Sequence, residues 1–384
     1  MKFLKLDNKK PQLIFCIHKG IESEKMFADP VVAEKFISTM EKYESFSNLS
    51  ICTYALVNHE CYILLRQHPE EDITAETLLS KIKYIISEEQ YDLIISELNE
   101  LKKPEHEEYV EKLKNTYVHR MNDYREFFRT LKVSFSSWYN GYVKKRDKLE
   151  FRRSGHVFSS KFKRVLVEDK MDASKVIASY IDLLPLRANV TTSLKKYNYS
   201  NFGAALNGNK KAQKRLVDFF NYYMAEQFIA WTDMNKKEQQ NSWNKFSQLY
   251  DNILFEDVET IVDKDGCSRR GISKERFLEA TEHRSKKRLT INEATHCHTK
   301  YFTHGTAFGT KEFCEKMFND SPKLFSENRK DGARRMLKLD KDIELFTLHQ
   351  IQLNVIRPPD YLDITKELEK RNKQTIQKLR QDSL

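Results

Sequence analysis

The chain reads as an α+β protein: an antiparallel sheet with helices on one face, plus a helical insertion and a helical C-terminal extension. Three observations predict this. Short β-prone runs and amphipathic segments follow in the order strand, helix, strand, strand, helices, strand, helix, which is a split βαβ arrangement. Gly and Pro number only 10 and 8 in 384 residues, far below the roughly 12% of average usage, so long helices with few stops are favoured over many tight hairpins. Hydrophobic residues make up 40% and aromatics 12%, enough to bury a core and exclude wholesale disorder.

Residues 12–18 (QLIFCIH) form a short β-prone run, and Pro30–Phe46 carries apolar residues at helical spacing. Two close-set strands follow at 50–57 (SICTYALV) and 61–67 (CYILLRQ). From about residue 75 to 142 the pattern is helical and highly charged, with acids crowded between Glu88 and Glu111, and reads as a solvated insertion. Residues 157–167 (VFSSKFKRVLV) read as a strand, and 172–184 as a helix stopped by Pro185. Past Asn207 come aromatic-rich helices through Phe219 and Trp243, a turn-like stretch at 263–271, and a helix start capped by Thr310. The expected organisation is a core over 1–206 with its insertion at about 75–142, then a helical extension over 207–384.

Sixty-six Lys and Arg stand against 56 Asp and Glu, a formal charge of +10. Nucleic acid is the default anionic partner for such an excess. Six cysteines lie scattered without the spacing of a disulfide framework or a paired-cysteine zinc site. His296, Cys297, His298 and His304 invite a zinc reading, but their spacing fits no standard ligand pattern. The N-terminal MKFLKLDNKKPQ lacks the apolar run of a signal peptide, and no window is apolar enough to span a bilayer. A cytoplasmic protein with reduced thiols is expected.

Chemistry concentrates around 58–65 (NHECYILL), where alternation along a strand turns His59 and Cys61 to the same side. That is how two metal ligands are presented from a sheet, although a hydrogen-bonded His at a strand start is the plainer reading. The segments 14–27 (IFCIHKGIESEKMF), 54–65 (YALVNHECYILL), 155–164 (GHVFSSKFKR) and 179–190 (SYIDLLPLRANV) occur in an order that resembles the REP-associated tyrosine transposases. These belong to the HUH superfamily, with single-tyrosine insertion-sequence transposases. Residues 195–206 (KKYNYSNFGAAL) and 301–336 also look like family segments.

The resemblance implies a ferredoxin-like HUH transposase core acting in DNA transposition and recombination. It implies attack by Tyr180 on a phosphodiester of single-stranded or hairpin DNA, giving a 5′-phosphotyrosine and a free 3′-OH. It further implies a divalent metal, Mg²⁺ or Mn²⁺, on residues matching His59 and Cys61 and on a third ligand at Leu184. Here the chain departs from the family pattern. Cys61 replaces a histidine, and a thiolate favours softer ions than magnesium. Leu184 replaces an asparagine and has no lone pair. The helical neighbours of Tyr180, at Val176, Ile177, Leu183 and Leu184, are all apolar. Two outcomes stay open: a metal-dependent strand transferase, or a DNA-binding descendant with weakened or lost catalysis.

DNA contacts are expected along the basic, aromatic-interleaved stretch from Lys144 to Arg164. It holds Lys144, Lys145, Arg146, Arg152, Arg153, Lys161, Lys163 and Arg164, with Phe151, Phe158 and Phe162 among them. Arg187 matches a family arginine and suits a phosphate or a salt bridge, while Lys19 keeps the charge of a family arginine without its bidentate geometry. A homodimer is compatible with the family. An RNA-binding sheet is a further alternative, since split βαβ folds commonly bind RNA.

Overall fold

The computed structural model describes residues 4, 9–21, 25–70, 72–151, 154–160, 162–224, 229–262, 266, 268–281, 288–336, 339, 344–349, 356–362 and 364. The chain runs through β1 (Gln12–Lys19), α1 (Pro30–Phe46), β2 (Leu49–Val57) and β3 (Glu60–Gln67). Four helices follow: α2 (Ala75–Ile82), α3 (Glu88–Glu100), α4 (Glu105–Met121) and α5 (Tyr124–Arg146). Then come β4 (Lys163–Val167), α6 (Met171–Asp182), α7 (Leu184–Arg187), α8 (Asn201–Leu206), α9 (Lys210–Met224) and α10 (Lys236–Phe255). The remainder comprises β5 (Glu259–Val262), β6 (Ser268–Gly271), α11 (Lys274–Thr281), α12 (Ile291–His296), α13 (Tyr301–His304), β7 (Ala307–Gly309), α14 (Lys311–Asn319), β8 (Arg334–Arg335) and β9 (Phe346–Leu348).

The main sheet has the order β2-β3-β1-β4-β7-β9-β8. Its first four strands pair antiparallel, with β3 inserted between β1 and β2 as the split βαβ pattern predicts. β4 then pairs parallel with β7. Asp29 starts α1, its carboxylate accepting the Val31 N–H at 3.0 Å, and Thr310 caps α14 through the Phe313 N–H as the sequence predicts.

Helices cover both faces, not one. Leu13, Phe15 and Ile17 of β1 face a core built with α6, α8, α9 and α10. Ile14 and Cys16 face a second core built with α1 and α5. The reason is visible in the strand itself: LIFCI is apolar on both faces, where a strand with one wet face would alternate.

Three further expectations are corrected. α5 belongs to the body of the fold: Phe127, Leu131, Phe135 and Tyr139 recur at helical spacing and pack on α1, with Phe36 and Phe135 edge-to-face at 5.1 Å. Only α2–α4 form a satellite, around their own small cluster of Leu78, Ile82, Leu98 and Leu113. The 157–167 run yields a strand only from Lys163. The C-terminal extension is mixed rather than helical, since β7, β8 and β9 extend the main sheet and β5 pairs with β6 in a separate ribbon. Strands of two to four residues are too short to leave a periodic signal.

A buried carboxyl ties α6 to its surroundings. Asp182 accepts hydrogen bonds from Thr53 Oγ1 of β2 at 2.6 Å and from Tyr250 Oη of α10 at 2.7 Å. Burial pushes its carboxyl from 3.8 up to about 7, opposed by these hydrogen bonds. Among the described residues no helix is long and apolar enough to cross a membrane. Cys16, Cys52, Cys61, Cys297 and Cys314 are buried free thiols.

Candidate nucleic-acid interface

Tyr180 lies on α6, fully enclosed in the core beneath the sheet. Phe302 sits at 5.0 Å from its ring and Phe15 at 6.2 Å, while the Arg187 guanidinium covers it at 4.0 Å. Its hydroxyl has no hydrogen-bond partner among the described residues, and burial raises its pKa. A phosphodiester cannot reach this hydroxyl in the conformation observed.

Cys61 is buried in the other core, among α1 and α5 side chains. Tyr180 and Cys61 are therefore on opposite faces of the sheet, and the grouping implied by the resemblance is not assembled. Burial pushes the Cys61 thiol up to about 12, so it stays protonated at neutral pH. The cross-strand neighbour of Cys61 is His18, a residue the sequence reading did not single out. The His18 ring is enclosed between Phe128 at 4.3 Å and Phe162 at 4.8 Å, and burial lowers its pKa well below the usual histidine range. His59 lies in the turn before β3, its carbonyl accepting from the Gly20 N–H at 2.7 Å. Leu184 is buried in the Tyr180 core. One turn histidine, a protonated thiol facing away and a leucine do not fit a divalent cation. Among the described residues no three His, Cys, Asp or Glu side chains gather to hold a metal.

The expected DNA-contacting residues divide into two kinds. Arg164 is buried and donates to Tyr124 Oη at 2.8 Å and to the Leu4 carbonyl at 2.8 Å, so it supports the α5 core. Arg187 is buried too, donating to the Thr295 carbonyl at 2.6 Å. Both are corrected from phosphate contacts to internal braces, because a buried guanidinium with carbonyl partners is not offered to solvent. Arg146 is engaged with Asp147 at 2.7 Å and Asp29 at 3.6 Å, pinning the end of α5 to the start of α1. Lys144 is half-buried, while Lys145 and Lys163 are exposed. Arg152, Arg153 and Lys161 lie outside the described residues.

Lys19 and Lys163 lie at one end of the sheet, and the last turn of α5 lies at the same end on the other face. β1 ends there at Lys19, β3 begins at Glu60 and β4 begins at Lys163. The last turn of α5 reaches the same end through the Tyr142–Asp29 hydrogen bond at 2.7 Å. The 154–159 segment is laid against it by the Ile21 N–H to Val157 carbonyl bond at 2.9 Å and the Ser159 N–H to Lys19 carbonyl bond at 2.8 Å.

A cavity of about 610 Å³ opens at this end. Lys19, Lys163, Lys300 and Arg357 line it with His298 and His304. Lys163 Nζ approaches His304 Nε2 at 3.1 Å, and His304 Nδ1 lies 2.8 Å from Thr303 Oγ1. An ammonium can only donate, so Nε2 accepts and the ring proton sits on Nδ1. Burial, helped by the neighbouring cations, lowers His304 to about 4 and His298 to about 3, keeping both neutral at pH 7. Glu60, the one carboxylate on the wall among the described residues, pairs with Lys19 at 3.3 Å and accepts from Tyr62 Oη at 2.5 Å. Sequence reasoning missed Lys300 and Arg357, which reach the cavity from segments far along the chain. The paired histidines at 298 and 304 were the available signal, as side chains facing a polar opening rather than as zinc ligands. His296 and Cys297 are instead buried in the core.

No protein-family model and no curated protein matches the chain. A solved structure described as "Structure of the REP associates tyrosine transposase bound to a REP hairpin" is similar over 54% of this chain and 86% of that one, at 9% identity and a TM-score of 0.32. At that identity and TM-score the two chains share too little to carry fold or function from one to the other.

Proposed function

We propose that the protein binds single-stranded or hairpin DNA through the basic end of its sheet, as a transposase-type DNA-binding protein that does not use Tyr180 as a nucleophile. The observation that carries this reading is the placing of Lys19 and Lys163 together at that end, on the cavity wall, with Lys144 and Lys145 in the last turn of α5 that is tied to Asp29. Lysines presented at one end of a rigid sheet neutralise backbone phosphates and gain affinity by releasing their counterions. The β2-β3-β1-β4 order and the ordered sequence motifs support a ferredoxin-like ancestry. The enclosure of Tyr180 and the placement of Cys61 on the far face favour the non-catalytic descendant over the strand transferase.

Fluorescence anisotropy with hairpin, single-stranded and duplex oligonucleotides over a salt series tests binding. Lys144→Glu with Lys145→Glu is expected to weaken binding to every sequence and to flatten the salt dependence. Equal affinity of parent and variant would refute the assigned surface, and a preference for RNA hairpins would favour the RNA alternative. Incubation of suicide oligonucleotides with Mg²⁺, Mn²⁺ or Zn²⁺ is expected to give no adduct that depends on Tyr180. A covalent adduct lost in Tyr180→Phe would overturn the non-catalytic reading.

A further inference from the structure

We propose that the cavity at the basic end of the sheet is a binding site for a phosphate monoester, the group carried at the phosphorylated end of a DNA strand. This inference rests on the DNA reading for the source of the phosphate, though not for its chemistry. Lys19 and Lys163 come from the sheet, whereas Lys300 and Arg357 come from the C-terminal half, so the site exists only in the complete fold. Among the described residues four cations line the cavity with one carboxylate, and that carboxylate is already engaged by Lys19 and Tyr62. Like charges gathered around a concave surface are unfavourable until an anion occupies it, and low-dielectric walls strengthen the attraction when one does.

The charge balance selects the kind of anion. Among the described residues that line it, four positive groups less Glu60 leave an excess of three. An internal phosphodiester carries a single negative charge, while a phosphate monoester carries about −1.5 to −2 near pH 7 and presents three acceptor oxygens. Arg357 offers a planar fork of donors, and Lys163 and Lys300 act as compact point charges. The proton on His304 Nδ1 is directed to Thr303, so the ring holds Lys163 in place by accepting from it. A volume of about 610 Å³ admits a phosphate with its attached sugar.

The test compares one hairpin-forming oligonucleotide with a 5′-phosphate, a 3′-phosphate or hydroxyl ends, alongside inorganic phosphate in a melting assay. A phosphorylated end is expected to bind at least about tenfold more tightly than the hydroxyl-ended strand, as charge-assisted hydrogen bonds would give. Lys300→Gln with Arg357→Gln is expected to abolish that preference and to remove stabilisation by inorganic phosphate. Circular dichroism of the variant separates loss of the site from loss of the fold, and Lys300→Arg should retain the preference. DNA binding with no preference for a phosphorylated end, and no phosphate effect on melting, would overturn the proposal and leave the DNA reading standing. Stabilisation by inorganic phosphate that requires Lys300 and Arg357, with no DNA binding, would uphold the site and sink the DNA reading.

Discussion

Replacing Asp182 by asparagine should change how stability depends on pH. The carboxyl is fully buried, and its pKa rises from 3.8 to about 7 on folding. In acid both states are protonated and nothing is lost. As pH climbs past 3.8 the unfolded chain ionises first, binding fewer protons than the native state, so stability falls. The loss is complete only above pH 7. At about 1.4 kcal/mol per pH unit the full cost is about 4 kcal/mol, of which about 2–3 kcal/mol accrues between pH 5 and pH 8.

An asparagine keeps Thr53 and Tyr250 in reach of one acceptor oxygen and one donor nitrogen and never ionises. Urea unfolding of parent and variant at pH 5, 6, 7 and 8 should therefore show Asp182→Asn gaining on the parent as pH rises. The difference between the proteins is the informative quantity. His298, partly buried, and His304, exposed at the cavity beside Lys163, are both depressed on folding and contribute the opposite slope: they lower stability as pH falls below the ordinary histidine value of 6.5. A parent-to-variant difference that stays flat from pH 5 to pH 8 would refute the assignment.

Three other outcomes are expected. Phe135→Ala should lower unfolding free energy by about 3–5 kcal/mol, because its ring packs on Phe36, Phe158 and Tyr139; Val133→Ala on the exposed side of the same helix should change it by less than about 0.5 kcal/mol, and equal effects would return α5 to the solvated insertion. Gly203→Ala should cost about 1–3 kcal/mol or more by the same measurement, since a methyl there would overlap the carbonyl oxygens of Tyr197 and Leu194; an unchanged midpoint would show that this helix start can shift. Thermal melts with Zn²⁺, Mn²⁺ or EDTA should coincide, because the Cys61 thiol is protonated and faces the α1/α5 core; a metal-dependent shift that disappears in Cys61→Ala would restore the metal site.

The arrangement of the first four strands was legible because they and α1 each carry a strong local pattern, and α1 matches the sequence reading end to end. The second layer of helices was legible in principle, since an apolar run such as LIFCI has no wet face. What escaped was set by distance along the chain. The edge partner of β4 is a three-residue strand beginning at Ala307, and Lys300 and Arg357 join Lys19 only through that closure. The site residues that the resemblance implied failed for a different reason. Motif spacing places Cys61 and Tyr180 in sequence, but the pleat of β3 decides which face Cys61 meets, and it sends that residue away from α6.

The parallel pairing of Val167 with Phe308 has a consequence for how the protein is made. A ribosome delivers Val167 long before Ala307: at about 5–20 residues per second the interval is on the order of ten seconds. Throughout it, the outer side of β4 presents bare N–H and C=O groups, and the Phe15 face of the sheet lacks much of its cover. An open edge beside an apolar surface is what drives nascent chains to pair with one another. Residues 1–206 alone should therefore be recovered as aggregate, and production of the intact protein should depend on a chaperone that occupies the edge until the C-terminal strands arrive.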